Sequence, residues 1–213
     1  MMTGTVRRAG PGSALPVRGW LLLLAMAAVP LAGCGGGGSP LGTPPLVGNS
    51  VAGGGQKLSF AYFQRCVNPV FLASLPIAPS GSATCSSSGC HNNATGTGGA
   101  FRIIPTAQVV DVSNLANTPD VIRASDIYKN FYSTQGEVVI GTPTQSLLIR
   151  KPLLLNVNHA GGLIFASDQD LNVRRLETWI TNPMPVGQDE FSTAGDALFD
   201  SGNPITGNCL PLN

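Results

Sequence analysis

Cys85-Ser86-Ser87-Ser88-Gly89-Cys90-His91 places two thiols and an imidazole within seven residues. Thiols and imidazoles are metal ligands, and thiols also form disulfides and thioethers. Which of these chemistries the stretch serves depends on the compartment the chain enters, and the N-terminus speaks to that.

Arg7, Arg8 and Arg18 make a positive leader, and the run from Trp20 through Leu21, Leu22, Leu23 and Leu24 to Ala32 is apolar but too short to span a bilayer comfortably. Residues 1–33 are therefore expected to be a signal peptide. They close on Leu31-Ala32-Gly33-Cys34, which resembles the lipobox of bacterial lipoproteins, where small residues precede a cysteine that is acylated and left as the new N-terminus. The alternative is an ordinary signal-peptidase site with Cys34 a free thiol. Acyl chains on Cys34 would hold the protein at a membrane surface without any spanning helix. Gly35 stands where an aspartate retains many lipoproteins at the inner membrane, which points to the outer membrane of a Gram-negative-type bacterium. Residues 34–56 are mostly Gly, Pro and Ser and read as a flexible tether, because they offer too little apolar surface to offset the entropy of ordering.

Residues 57–213 are long enough for one domain with a real core. With the leader's arginines removed the charge balance stays close to neutral, so nothing argues for nucleic acid or an anionic surface as a partner. Charged residues are only 11% of the chain and glycines number 27, so loops are expected to fill much of the domain. No paired-histidine protease motif, phosphate-binding loop or nucleophile elbow is present, and no enzymatic chemistry is expected.

The apolar pattern predicts mainly helical structure joined by irregular segments, with at most a short hairpin. Residues 58–75 carry Phe60, Tyr62, Phe63, Cys66, Val67, Val70, Phe71 and Leu72 at helical spacing, with a break or kink expected at Pro69. A second helix is expected over residues 125–132, capped by Ser125, with Ile127, Tyr128, Phe131 and Tyr132 buried. Residues 141–148 read as a turn into a short helix capped by Thr144 and carrying Leu147, Leu148 and Ile149. Residues 168–181 are the strongest helix, capped by Asp168 or Asp170, with Leu171, Val173, Leu176, Trp179 and Ile180 in one stripe and Pro183 and Pro185 ending it. Residues 189–199 can form one further short helix.

In an exported chain, a pair of cysteines followed directly by histidine is the pattern that attaches a c-type haem. Cys85 and Cys90 would carry the thioethers and His91 would reach the iron from the same side. Four residues separate the cysteines where the usual motif has two, so residues 86–89 are expected to loop outward, which small residues and Gly89 permit. Three other readings compete. Cys85 and Cys90 can pair as a local disulfide in an oxidising compartment, they can join His91 at zinc if a fourth ligand exists, or the stretch is an incidental loop. Cysteine bookkeeping favours haem: of five, Cys34 goes to lipid and Cys85 and Cys90 to haem. Cys66 and Cys209 remain, and a disulfide between them would close a long loop and tie the tail down.

The order of an aromatic N-terminal helix (Phe60 to Phe71), the Cys and His cluster, Ser146-Leu147-Leu148-Ile149-Arg150-Lys151-Pro152, then His159-Ala160-Gly161-Gly162, and a last helix ending Leu176-Glu177-Thr178-Trp179-Ile180 resembles single-haem cytochrome c domains of bacterial exported lipoproteins and planctomycete-type proteins. The resemblance covers about residues 57–182. It implies a cytochrome c-like, mainly α domain with long irregular loops, in which the first and last helices cross and the segment before the last helix supplies the sixth iron ligand. That position falls on His159, with Gly161 and Gly162 letting backbone approach a flat cofactor. The rival is Met184, in Asn182-Pro183-Met184-Pro185, which looks like the methionine loop of small soluble cytochromes c. Two imidazoles imply a low reduction potential and a thioether ligand a higher one. Arg102, Arg150 and Lys151 are candidate partners for the haem propionates. Trp179 is expected to pack on Phe63 or Phe71 as core.

These observations lead to one expectation and two alternatives. The expectation is a lipid-anchored c-type cytochrome with one haem c, passing single electrons between extracytoplasmic redox proteins. The alternatives are a structural or interaction lipoprotein with a Cys85–Cys90 disulfide and no cofactor, and a haem-based sensor or ligand binder in which His159 does not coordinate.

Overall fold

Residues Phe60 to Leu72 form one helical run whose middle is wound more loosely than its ends. The computed structural model describes residues 55–77 and 81–211; the leader, Cys34 and nearly all of the Gly/Pro/Ser segment lie outside the described residues. The run begins as α1 (Phe60–Tyr62), with the Ser59 hydroxyl accepting from the Tyr62 amide at 3.1 Å. It continues through a π turn (Phe63–Val67) into α2 (Asn68–Leu72). The break expected at Pro69 is thus a widened turn: the Asn68 amide bonds the Phe63 carbonyl five residues back, directly ahead of a proline that has no N–H to give. Phe60, Phe63, Val67, Val70 and Phe71 all remain buried across the change of period.

A two-residue hairpin follows, β1 (Leu75–Pro76) antiparallel to β2 (Ser82–Ala83). It delivers the chain to Cys85. After a loop-rich stretch come α3 (Pro119–Ala124), capped by Thr118 and without a counterpart in the sequence reading, and α4 (Asp126–Gln135). Ser125 caps α4 as expected, its hydroxyl accepting from the Tyr128 amide, and the helix runs three residues past its expected end. Ile127, Tyr128 and Phe131 are buried, but Tyr132 lies on the outer side, 38% exposed.

Thr144 does not cap the next helix. It sits inside a 3-10 turn (Pro143–Gln145), and α5 (Leu147–Arg150) begins after Ser146. The buried Ser146 hydroxyl is already committed, accepting from the Val139 amide at 2.9 Å and donating to the Thr142 carbonyl at 3.0 Å, so α5 has no side-chain cap. The last α-helix, α6 (Leu171–Thr181), is capped by Asp170, whose carboxylate accepts from the Asn172 amide at 2.8 Å. Val173, Leu176, Trp179 and Ile180 are buried, while Leu171 at the helix start is 37% exposed. The short helix expected over residues 189–199 is a 3-10 turn (Thr193–Leu198).

The core is aromatic and joins the first helical run to α4 and α6. Phe131 meets Phe60 and Phe63 edge-on, each at 5.3 Å between ring centres, and Trp179 packs 5.5 Å from Phe63. The Trp179 indole N–H donates to the Ser59 carbonyl at 2.9 Å, which satisfies the one polar atom the residue brings inside. Beside this core, Glu190 is buried against Tyr128 and Arg123, accepting from the Tyr128 hydroxyl at 2.8 Å and the Arg123 guanidinium at 2.9 Å. A bond between the sulfurs of Cys66 and Cys209 holds the C-terminal segment against the first run. Arg65 adds hydrogen bonds to the Ile205 and Gly207 carbonyls, and the Tyr62 hydroxyl donates to the Leu210 carbonyl. Among the described residues no helix is long and apolar enough to cross a membrane.

Candidate functional site

Loop segments build a cavity of about 600 Å³ between α2, α5 and α6. Its volume lies within the range of small-molecule and cofactor sites, roughly 300–1,000 Å³. Apolar side chains make most of the wall, among them Phe71, Phe101, Leu148, Ile164, Phe165 and Leu176. Cys85, Cys90, His91 and His159 all line it as well.

The segment between the cysteines folds back on itself. The His91 amide donates to the Cys85 carbonyl at 2.9 Å, and the Cys90 amide to the Ser87 carbonyl at 3.0 Å, so the first thiol and the imidazole are drawn to one side. Only part of the insertion loops outward as expected. Ser88 and Gly89 are exposed, but Ser86 is buried, because its amide is taken by the Phe71 carbonyl at the end of α2. Cys85 and Cys90 are not bonded to each other. Burial, with Cys90 close by, pushes the Cys85 thiol up to about 11, so it stays protonated at neutral pH.

Residues after His91 fix its ring. The chain returns beside it as a parallel bridge between Asn92 and Ile103, with the Ile103 amide donating to the His91 carbonyl at 2.7 Å. That return places the Phe101 carbonyl 3.1 Å from His91 Nδ1 and the Phe101 ring 4.6 Å from the imidazole. Burial holds His91 below the usual imidazole range, against the opposing pull of that carbonyl, which favours the neutral form of the ring. On the facing wall, His159 Nδ1 lies 2.9 Å from the Gly162 carbonyl. A carbonyl can only accept, so in both rings Nδ1 carries the hydrogen, and Nε2 is the nitrogen each ring can offer to a metal. Metal-binding histidines are commonly oriented in this way, by an acceptor on the ring nitrogen that does not bind the metal.

The rings of His91 and His159 are 6.3 Å apart between centres, with planes 10° from parallel. Two nitrogen–metal bonds of about 2 Å in line, plus the half-width of each ring, come to roughly that separation. Among the described residues no group of three or more His, Cys, Asp or Glu side chains is placed to hold a metal ion. A bare zinc ion would lack its remaining ligands here, whereas two opposed imidazoles suit a planar group that brings its own equatorial nitrogens. By donor set, spacing, volume and flanking thiols, these residues fit a haem.

The other expected site residues divide. Lys151 lines the cavity and pairs with Glu137, 3.6 Å away on the same wall. Arg102 and Arg150 are not among the lining residues; the Arg150 guanidinium donates to the Leu155 carbonyl instead. Met184, the rival ligand, is also absent from the cavity wall. It is buried beside Ser59 and Gly195, and its amide donates to the Lys57 carbonyl at 2.7 Å. The chain leaving α6 therefore turns toward the start of the first helical run and carries Met184 away from His91. Glu137, Phe101 and Gly98 were not expected in the site, and none belongs to a motif that would have singled it out.

Comparison of the chain with protein-family models, with curated proteins and with solved structures finds no match.

Proposed function

We propose that this protein is a membrane-anchored c-type cytochrome, which carries single electrons between extracytoplasmic redox partners through one covalently held haem. The observation that carries the reading is the facing pair His91 and His159, 6.3 Å apart and near parallel in a cavity whose wall includes Cys85 and Cys90. When bound, haem supplies a one-electron couple at iron.

The chain's own residues do the rest. The Cys85 and Cys90 thiols, each adding across a vinyl group, would tether the cofactor covalently. His91 Nε2 and His159 Nε2 would be the protein's two ligands to the iron, each ring oriented by a carbonyl on Nδ1. Phe71, Phe101, Leu148 and Phe165 would exclude water from the macrocycle, and Lys151 is placed to pair with a propionate. Two histidine ligands would leave the iron no open site, which would suit electron transfer over ligand sensing, and two imidazoles would favour the ferric state and a low potential. The lipid anchor at Cys34 and the outer-membrane location belong to this proposal and rest on the leader sequence.

The test is to produce the chain in a bacterium with an active haem c maturation system. The proposal expects a low-spin Soret spectrum whose haem resists extraction by acidified organic solvent. Extractable haem, or no Soret band, would contradict it and favour the cofactor-free lipoprotein.

A further inference from the structure

We infer that Gly98 and Gly161 are positioning residues that hold the imidazole planes of His91 and His159 parallel. This rests on the haem reading above and adds to it what sets the orientation of the two ligands. A Cβ on Gly98 would stand 2.5 Å from Nδ1 and 2.6 Å from Cε1 of His91, and 2.8 Å from the Cys90 carbonyl oxygen. A Cβ on Gly161 would stand 3.0 Å from Cε1 of His159 and 3.5 Å from both of its ring nitrogens. At Gly98 a side chain would overlap the His91 ring outright, and at Gly161 it would press on the His159 ring closely enough that the ring must shift by a few tenths of an ångström, which is the use of glycine at both positions.

Each ring is therefore held twice. Its Nδ1 is tied to one carbonyl, that of Phe101 or Gly162, and the glycine backbone limits its rotation. The two devices sit in different loops with no shared sequence, so the 10° angle between planes is the product of two separate clamps. A methyl group added at either glycine would push one ring out of that shared orientation.

The mutual angle of axial imidazoles is readable without any activity measurement. In low-spin ferric haem, parallel ligand planes split the iron d orbitals and give a rhombic electron paramagnetic resonance signal, while crossed planes give a strongly anisotropic one with a single dominant low-field feature. The experiment compares the ferric holoprotein with Gly98→Ala, Gly161→Ala and, as a control, Gly55→Ala at an exposed position where an added Cβ meets no atom within 4 Å. The parent is expected to be rhombic. Gly161→Ala, the milder change, is expected to keep thioether-bound haem and a low-spin optical spectrum while losing the rhombic signal to a more anisotropic one. Gly98→Ala should do the same or more, and if it fails to fold, Gly161→Ala decides. Gly55→Ala should match the parent. A strongly anisotropic parent spectrum, or rhombic spectra in both ring-side variants, would overturn the glycine assignment while leaving the haem reading intact. A parent without thioether-bound haem would overturn both.

Discussion

Trp179 in the helical core and His159 on the cavity wall are held in place by different means. Trp179 is gripped by regular elements: the Phe63 and Phe131 side chains against its ring, and one hydrogen bond to the Ser59 carbonyl at the start of the first helical run. His159 sits in a loop and is gripped by backbone, the Gly162 carbonyl on Nδ1 and Gly161 against its ring. His91 repeats the second pattern with Phe101 and Gly98. Stability thus comes mainly from apolar burial in the helices, and the orientation of the two imidazoles from main-chain contacts in the loops. The two properties should separate under mutation.

The largest stability effect is expected at the core. Trp179→Ala should cost roughly 3–5 kcal/mol, read as a shift in the denaturant midpoint. If the loss were under about 1 kcal/mol, the aromatic clasp would not be the centre of the fold. Met184→Ala and His159→Ala then cross the comparison directly. Met184 is buried away from the cavity, so its truncation should cost about 2–4 kcal/mol and leave the ferric spectrum low-spin. His159→Ala should turn the spectrum high-spin while changing the denaturant midpoint little. The reverse pattern would make Met184 the ligand.

A smaller effect separates charge from burial. Glu190 is held below the usual carboxylate range: burial works against its charge, but the hydrogen bonds from its surroundings, with Tyr128 and Arg123 foremost among the side chains, outweigh that cost. The unfolded chain then binds this proton more readily, so the contribution is complete above the unfolded value near 4.5 and is lost as pH falls through the lower folded value. Glu190→Gln should lower stability at pH 7 by about 2 kcal/mol and flatten the acid limb of a stability–pH curve. An unchanged acid limb would remove Glu190 from the account. Smallest is Ser146→Ala, expected to cost about 1 kcal/mol through the unpaired Val139 amide. Its spectrum should match the parent's.

What could be read from the chain follows the same division. Ser125 and Asp170 cap their helices as expected because a cap is a contact within three residues, visible in local sequence. Thr144 failed as a cap because the turn before α5 is organised by Ser146 reaching back to Val139 and Thr142. Pro69 announced an irregularity but not its form, since a π turn and a kink both relieve a missing N–H. At the site, the thiols and histidines were legible as residue types with a spacing. Their partners were not. The Phe101 carbonyl, Gly98 and Glu137 reach the site only through the return of the chain beside His91 and the packing of the segment after α4, and no periodicity reports either. Sequence order left His159 and Met184 as rivals; in the structure His159 lines the cavity and Met184 is not among its lining residues.

The central claim is that Cys85 and Cys90 tether a haem between His91 and His159. Its most direct test is the mass of the proteolytic peptide spanning residues 85–91, taken without reduction from protein made alongside the haem maturation system. The account predicts that peptide plus the mass of one haem, with both thiols consumed. A peptide lighter by two hydrogens, with Cys85 bonded to Cys90 and no haem, would contradict it.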